Sequence, residues 1–527
     1  FNDLAFRTLV TFFVLGLGLS QAHRDSLVSL TLALFALPFI LFSMMGGYLA
    51  DRYSKRTVAL ALKAVEVGSM SIGVLALLLG SVKLLLLVVF LISAQSALFG
   101  PSKWGLLPEM LPEKKLSWGN GILQFATYIS GIAGTVAGGM LSDAFQGRLG
   151  WAGVILVASA IFGLLVMFGI ARTPVENPER KFRVDFVSDL LAQYRIIRQD
   201  RTLALAVLGN GYFLFLATLL QAAILRYGKD LLALNDTQNS YLQAAVAAGI
   251  GIGALAAGFL SRDKIELGLV PLGSIGLVTM SAIMSGAGLS FHQVLLSLIL
   301  LGMAGGCFIV PIGALIQYRP APAVRGGVIA AANWLSWAGA FAAAGVDYLL
   351  SSVAGISPSG VFLIMAGITL AGAIYVLILL PAALLRFVLW LLTITIYRIK
   401  VLGRDNIPEK GGALFVCNHL SLVDALLVQA STDRPIRFLM DRDWYNKPWL
   451  HPFAKLLDVI PVSTTSSPRE LLHSLREARE TVERGHVVCI FAEGQITRTG
   501  NLLPFRRGLE KIMQGSDGTV NAPIIPV

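Results

Sequence analysis

The sequence predicts a polytopic α-helical membrane protein with a small soluble α/β domain at its C-terminal end. The 527 residues are 55% hydrophobic and only 14% charged, with a mean hydropathy of +0.73, whereas a soluble chain carries roughly a quarter charged residues. Apolar runs approaching the about twenty residues that cross a bilayer recur with short breaks as far as residue 382. Beyond residue 400 the apolar runs become short and are bounded by Gly, Pro and charged segments, the pattern of buried strands alternating with helices.

The formal net charge is +11. In a membrane protein this reads as Lys and Arg gathered on cytoplasmic loops beside anionic lipid. No nucleic-acid partner is expected, because no basic run with interleaved aromatics occurs. Cys307, Cys417 and Cys489 are far apart, lack metal-ligand spacing and sit in apolar runs. They are expected to be buried, inert thiols, and no metal site is expected.

The expected spans are 4–20, 27–49, 58–80, 84–101, 120–142, 151–171, 203–225, 240–260, 266–288, 292–316, 327–350 and 360–382, twelve in all. The chain begins at Phe1 inside an apolar run, so the first span is expected to be truncated. The longest break, Arg172–Arg201, divides the spans six and six. The halves read as weak repeats. Pro101 ends the fourth span and Pro311 the tenth, Gly119–Gly121 and Gly326–Gly327 open the fifth and eleventh, and Asp143 and Asp347 lie near the ends of those two. Gly131, Gly134, Gly138, Gly249 and Gly253 are spaced for close helix packing. Alternate loops carrying Arg52, Lys55, Arg56, Lys114, Lys115, Arg319 and Arg325 are richer in cations than the set with Arg24, Lys83, Arg148, Arg226 and Lys229. The first set is expected to be cytoplasmic, which returns the chain to the cytoplasm after Pro381.

The segment Gly46-Gly47-Tyr48-Leu49-Ala50-Asp51-Arg52-Tyr53-Ser54-Lys55-Arg56 resembles the GxLADRxxRR loop signature of the major facilitator superfamily. That resemblance implies twelve helices in two six-helix halves. It also implies a conformational latch at Gly47, Asp51, Arg52 and Arg56, where ordinary flanking charge is the plainer alternative. The second-half counterpart, Gly258–Lys264, inverts the Asp–Arg order. Phe1-Asn2-Asp3, Phe99–Gly105 and Gly305–Pro311 carry a further similarity to lysophospholipid transporters. It covers most of residues 1–382 and implies movement of lysophospholipid from the outer to the inner leaflet of a bacterial inner membrane.

Charges inside spans are costly and are candidates for function. Asn2 and Asp3 lie in or beside the first span, Lys63 and Glu66 one helical turn apart in the third, and Lys103 after the fourth. The alternatives are a mutually satisfied Lys63–Glu66 pair and a Lys103 that snorkels to the interface. Asp3 permits sodium or proton coupling without choosing between them. Residues 1–382 are therefore read as a transporter domain. Residues 383–400 carry Arg386, Trp390, Tyr397 and Arg398 and are read as an interfacial amphipathic helix rather than a thirteenth span.

Residues 401–527 form the expected soluble domain. Ala413–Cys417 reads as a buried strand, followed by Asn418, His419 and a helix starting near Asp424. A five-residue separation on one continuous helix would put His419 and Asp424 about 140° apart. They meet only if the strand-to-helix turn folds back. The order Asn418–Asp424, Ile460-Pro461-Val462, Phe491-Ala492-Glu493-Gly494, Pro523–Val527 resembles glycerolipid acyltransferases of the HxxxxD type. Glu493–Leu502, EGQITRTGNL, is similar to the bacterial 2-acylglycerophosphoethanolamine acyltransferase that is usually joined to an acyl-carrier-protein synthetase. Ala492 stands where that family has Pro, and no Arg follows Val462-Ser463.

The resemblance implies His419 as general base and Asp424 as its orienting partner, without an acyl-enzyme. It places Asn418, Ser421, Glu493, Gly494, Arg498 and Arg506 at the substrate, with Arg507 and Arg469 as further cations for its phosphate. No tightly bound cofactor is expected. The donor is acyl-ACP or acyl-CoA, and the partners are lysophospholipid, phospholipid, acyl carrier protein and the membrane. The chain stops inside the last block, so the domain is expected to be truncated at its C-terminus. The expected function is lipid repair by transport followed by re-acylation. The rivals are an acyltransferase on a non-transporting scaffold or scramblase, and a solute exporter fused to a phosphatidic-acid-forming enzyme.

Overall fold

The computed structural model describes residues 1–110, 113–170, 186–261, 265–286, 288–321, 324–403, 406–408, 410–432, 434–463, 468–497, 501–514, 520 and 522–527. Side chains at 44, 51, 104–105, 107–109, 113–125, 128, 186–187, 189 and 325–326 lie outside the description. Two compact units emerge, one formed by 1–265 and 269–375, the other by 266–268 and 376–527.

The first unit is helical. Its first half contains α1 (Asn2–Leu15), α2 (Gln21–Arg52), α3 (Lys55–Leu79), α4 (Val82–Met110), α5 (Glu113–Ala144) and α6 (Gly150–Phe168). A short amphipathic helix, α7 (Phe186–Gln199), occupies part of the long break that the apolar pattern left as a loop. The second half contains α8 (Arg201–Arg226), α9 (Asp236–Ser261), α10 (Leu269–Met284), α11 (Phe291–Tyr318), α12 (Arg325–Asp347) and α13 (Pro358–Leu379). These twelve helices other than α7 match the expected spans in order. Among the described residues nine helices are long and apolar enough to cross a membrane. The three others fall short. α1 and α10 have 14 and 16 residues, and α5 is diluted by glycine and hydroxyl residues.

Prolines end neither α4 nor α11. Pro101 and Pro311 lie inside them, and the helices run on to Met110 and Tyr318. In a bilayer, neighbouring helices satisfy the backbone groups that a proline frees. Glycines bring helices close as their spacing predicts. A Cβ on Gly134 would lie 2.5 Å from the carbonyl oxygen of Phe1, just before α1, and one on Gly249 would lie 3.1 Å from Gly302 Cα of α11.

The two halves meet through α2 against α12 and α5 against α9. Arg226 was expected in a loop. Instead α8 extends through it, and its side chain is 1% exposed. Its guanidinium pairs with both oxygens of Asp347 on α12, at 3.0 Å for Oδ2, and lies 3.9 Å from Asp25 on α2. Ser29 of α2 donates to Asp347 Oδ2 at 2.7 Å. Nearby, Asp143 at the end of α5 accepts from the Asp236 and Thr237 amides that open α9, at 3.1 and 2.7 Å. Ser142 and Lys229 both reach Asp236. These ties join the halves at the end of the bundle opposite Arg52 and Arg56.

The second unit begins with α14 (Pro381–Ile396), 16 residues and so shorter than a usual span. A parallel sheet follows, built from β1 (Ala413–Cys417), α15 (Asp424–Ser431), β2 (Ile436–Asp441), α16 (Arg442–Tyr445), α17 (His451–Leu456), β3 (Ile460–Val462), α18 (Pro468–Glu483), β4 (Val487–Phe491), α19 (Gly508–Met513) and β5 (Ile524–Pro526). The strand order is β3-β2-β4-β1-β5. Strand side chains alternate between two cores. Phe415, Cys417 and Cys489 pack against Val428 of α15, while Leu414, Val488 and Ile490 pack against Leu475 of α18 and Ile512 of α19. Sequence reading missed β2, whose apolar–polar alternation is broken by Leu439.

The buried Arg226–Asp347 pair yields a stability prediction. Asp347→Ala strands a guanidinium in an apolar interface and should cost about 3–5 kcal/mol, read as a lower unfolding midpoint of the detergent-solubilised protein. Arg226→Met combined with Asp347→Leu should recover much of that loss.

Candidate active site

In the second unit, β1 and β4 are adjacent and parallel, with Cys417 opposite Phe491. The connection after β1 leads across β4 to β2, whereas the connection after β4 leads across β1 to β5. Two connections leaving adjacent strands in opposite directions open a crevice at the strand carboxyl ends, where ligands bind in open α/β sheets. His419 follows β1 by two residues and Glu493 follows β4 by two, so both arrive at this crevice.

The turn after β1 folds back, as the pairing of His419 with Asp424 requires. His419 Nδ1 lies 2.9 Å from Asp424 Oδ2. The same oxygen accepts the Leu420 and Ser421 amides at 2.7 and 2.8 Å. A carboxylate only accepts, so Nδ1 carries the proton and Nε2 is left with a lone pair, the form a general base needs. The imidazole stacks on Phe491 with ring centroids 4.1 Å apart. The Thr497 amide donates to the His419 carbonyl at 2.9 Å, which ties the loop after β4 to the loop after β1.

Ala492 bears on the same join. Its amide donates to the Cys417 carbonyl at 3.0 Å, and its carbonyl accepts the Arg506 amide at 2.9 Å. Proline has no amide hydrogen and could not make the first bond. The departure from the family pattern therefore adds a bond between the two catalytic loops. Gly494 adopts φ +69°, and a Cβ there would lie 2.8 Å from Arg506 Cδ. Glycine is required on both counts.

Glu493 is 2% exposed, and among the described residues neither carboxylate oxygen has a hydrogen-bond partner. Buried polar groups are normally paired, so this carboxylate fits a group that meets its partner on a ligand. Asn418 is exposed. Ser421 accepts the Val423 amide at 3.4 Å, the role of a turn residue. Arg506 and Arg507 line a cavity together with His419. Arg498 and residues 499–500 lie outside the described residues.

That cavity encloses about 1420 Å³, above the roughly 300–1,000 Å³ of most ligand pockets. Leu385 and Leu389 of α14, Phe438, Trp449 and Phe453 give it an apolar wall that runs from the histidine. The site thus joins a histidine and cations with an extensive apolar lining that has room for hydrocarbon. Cys417 and Cys489 approach with sulfurs 3.5 Å apart, both buried. The contact with Cys417, reinforced by burial, pushes the Cys489 thiol well above its ordinary range. Thiols held neutral are poor nucleophiles. No cluster able to hold a metal ion occurs among the described residues.

In the first unit the structure gathers several sequence candidates. Asn2 donates to Glu66 Oε1 at 2.9 Å, and Lys63 pairs with Glu66 Oε2 at 2.6 Å. Asp3 accepts from Ser96 at 3.1 Å. Lys103 donates to Thr127 at 2.7 Å. None of these residues lines the central cavity between the halves, whose single charged wall residue among the described residues is Arg7. Sequence reading passed over Arg7, although a lone arginine in the first apolar run was the available signal. At the other motif, Arg52 bonds to the Tyr48 hydroxyl and Arg56 donates to the Phe168 carbonyl at 3.1 Å. A Cβ on Gly46 would lie 2.9 Å from the Leu98 carbonyl oxygen, whereas Gly47 has open space around it. The Asp51 side chain lies outside the description.

A bundle of two six-helix halves joined to a parallel sheet with a histidine–aspartate pair defines a multi-pass membrane protein of transporter fold that carries a group-transfer domain. The sequence profile of the Major Facilitator Superfamily matches residues 1–345, and the chain belongs to that superfamily. An acyltransferase profile matches residues 398–527, which makes the second unit an acyltransferase domain. Curated relatives include the lysophospholipid transporter LplT of Enterobacter sp. (strain 638), 28% identical over 291 residues, covering 53% of this chain and 68% of the relative. The LplT of Klebsiella pneumoniae (strain 342) is 28% identical over 306 residues, covering 56% and 72%. Among solved structures, a D-xylose–proton symporter aligns with TM-score 0.54 at 14% identity, covering 71% of this chain and 93% of its own. A bacterial homolog of the human lysosomal transporter Spinster aligns with TM-score 0.53 at 15% identity, covering 73% and 94%. At these identities the structural likeness shows the fold.

The geometry predicts that Asp424→Asn lowers the rate of acyl transfer by about 10²–10⁴-fold through loss of the correct imidazole tautomer. The acceptor KM should change little, because Asp424 holds the base rather than the substrate. Steady-state kinetics on the purified chain separate the two.

Proposed function

We propose that the chain is a lipid-repair fusion. Its membrane domain moves lysophospholipid, of the lysophosphatidylethanolamine type, from the outer to the inner leaflet of a bacterial inner membrane. Its acyltransferase domain, on the cytoplasmic side, restores the missing acyl chain from an acyl thioester, acyl-ACP or acyl-CoA. The observation that carries this reading is the joining, in one chain, of a domain similar to lysophospholipid transporters with an acyltransferase domain whose histidine opens onto a large apolar cavity.

The chemistry follows from the groups present. The acceptor is a free glycerol hydroxyl on a molecule with a phosphate and one hydrocarbon chain. His419 Nε2 takes the hydroxyl proton as the oxygen attacks the thioester carbonyl. Asp424 stabilises the imidazolium that forms. Collapse of the tetrahedral intermediate expels the thiolate, which recovers the proton from His419. No covalent enzyme intermediate is needed. Glu493 is suited to accept a hydrogen bond from the acceptor, and Arg506 or Arg507 to meet its phosphate. The cavity's apolar wall takes hydrocarbon. Tethering transporter and transferase raises the local concentration of a substrate that would otherwise diffuse through the leaflet.

The membrane domain's ties between halves lie at the end opposite the basic loops. With those loops cytoplasmic, that is a conformer closed toward the outside, one of the two states that alternating access requires. Coupling to sodium or protons, with Asp3 as the candidate carboxylate, belongs to the same proposal.

The test uses the full chain in proteoliposomes. His419→Ala should abolish acyl transfer to lysophosphatidylethanolamine while leaving uptake of the labelled lysolipid at the wild-type rate. Acylation that survives the substitution would refute the base assignment. Wild-type vesicles that acylate but move no lysolipid would favour a scaffold role for the helices.

A further inference from the structure

We infer that Arg7 is the anion-binding residue of the central cavity in the membrane domain, and that its ligand is a phosphodiester headgroup carrying a hydrocarbon chain. The inference deepens the proposed lysophospholipid transport by naming the residue that would meet the phosphate.

Arg7 lies on α1 and is 7% exposed. Its guanidinium carbon sits 4.4 Å from the centroid of the Phe35 ring on α2. Among the described residues no carboxylate lies within ion-pair distance of it. Asp3, one turn earlier, is engaged by Ser96 and by the Leu4 amide. Arg226 shows the contrast, since it is equally buried but has Asp347 and Asp25 beside it. A buried cation is costly unless it is paired. Stacking on Phe35 relieves only part of that cost and covers one face of the guanidinium, leaving its edge donors for a ligand.

The place of Arg7 tells which ligand fits. It lines a cavity of about 250 Å³ whose walls come from both halves: Phe35 of α2, Gln221 of α8, Gln243 of α9 and Trp337 of α12 among them. The two glutamines, Thr218 and the arginine are the polar part, and the rest is largely apolar. A guanidinium presents a planar fork that matches two phosphate oxygens, and it stays charged in apolar surroundings. The phosphodiester anion of a lysolipid, zwitterionic in the ethanolamine case, supplies a counter-charge, and its chain meets the apolar wall. Since the cavity lies between the halves, neutralising Arg7 there acts on the interface that must open and close.

The test measures equilibrium binding of radiolabelled 1-palmitoyl-lysophosphatidylethanolamine to the detergent-solubilised full chain, with no acyl donor present. The acyltransferase domain supplies a second site that Arg7 does not touch, so the readout is the difference between wild type and variant. Arg7→Gln should weaken one class of sites by about 10- to 100-fold. Arg7→Lys should recover part of the affinity, and neither change should alter binding of uncharged 1-palmitoylglycerol. Acyl transfer to micellar lysolipid should be unchanged in both variants. Equal lysolipid binding by wild type and Arg7→Gln would overturn the inference. So would competition by inorganic phosphate as strong as that by the lysolipid, which would make the ligand a free anion. If Arg7→Gln does not fold, the wild type and Arg7→Lys decide: a wild type with no preference for the lysolipid over 1-palmitoylglycerol, or an Arg7→Lys variant with full affinity, overturns it. Arg7-dependent binding in a protein that moves no lysolipid across vesicles would refute the transport reading and leave the Arg7 assignment standing.

Discussion

In the membrane domain a charge without water must be met by another group of the protein, and this requirement shapes the interface between the halves. Arg226, Asp347, Asp25 and Ser29 come from three helices in both halves and form one network at one end of the bundle. Asp143 does similar work for the backbone, receiving the amides that α9 would otherwise leave unpaired at its start. An interface held by such groups has discrete arrangements rather than a continuum. Separating the halves there exposes charge to solvent and closes the bundle elsewhere, which suits a protein that alternates between two states.

The acyltransferase unit meets the same requirement on a smaller scale. One oxygen of Asp424 receives the imidazole and two backbone amides. That convergence folds the turn after β1 back on itself and sets the histidine tautomer. The neighbouring strand finishes the task, because Phe491 backs the ring and Ala492 and Thr497 bond to the first loop. His419 is therefore held by two strands that are distant in sequence but adjacent in the sheet.

Against this background the unpaired groups carry meaning. Among the described residues, Glu493 is buried with both oxygens unpartnered, and Arg7 is buried over the Phe35 ring with no carboxylate at ion-pair distance. Arg7 borders an apolar cavity and has the sign and shape to meet an anion, whereas Glu493 lies between Ala492 and Gly494, which line the second cavity. Lys63 and Glu66 pair with each other instead, and Asn2 donates to Glu66. Pairing is what separates a structural charge from one that awaits a ligand.

The sequence by itself determined the class of the protein. Hydropathy marks where lipid must be, since a long apolar run has few other uses, and the twelve segments emerged in the right order. The blocks around His419, Glu493 and Pro523 were legible as a resemblance to acyltransferases, and an acyltransferase profile matches residues 398–527. Tertiary structure decided what depends on contacts between distant segments. The length of α1 and α10, the continuation of α4 and α11 through their prolines, the strand β2 and the helix α7 rest on neighbours that local pattern does not reveal. Arg226 looked like a loop cation until its partners on α2 and α12 were in place. Arg7 looked like one more residue of an apolar run, and only the packing of six other helices around it made it the charged wall of a cavity. A side chain's type is written in the chain, but whether that side chain is paired is a property of the fold.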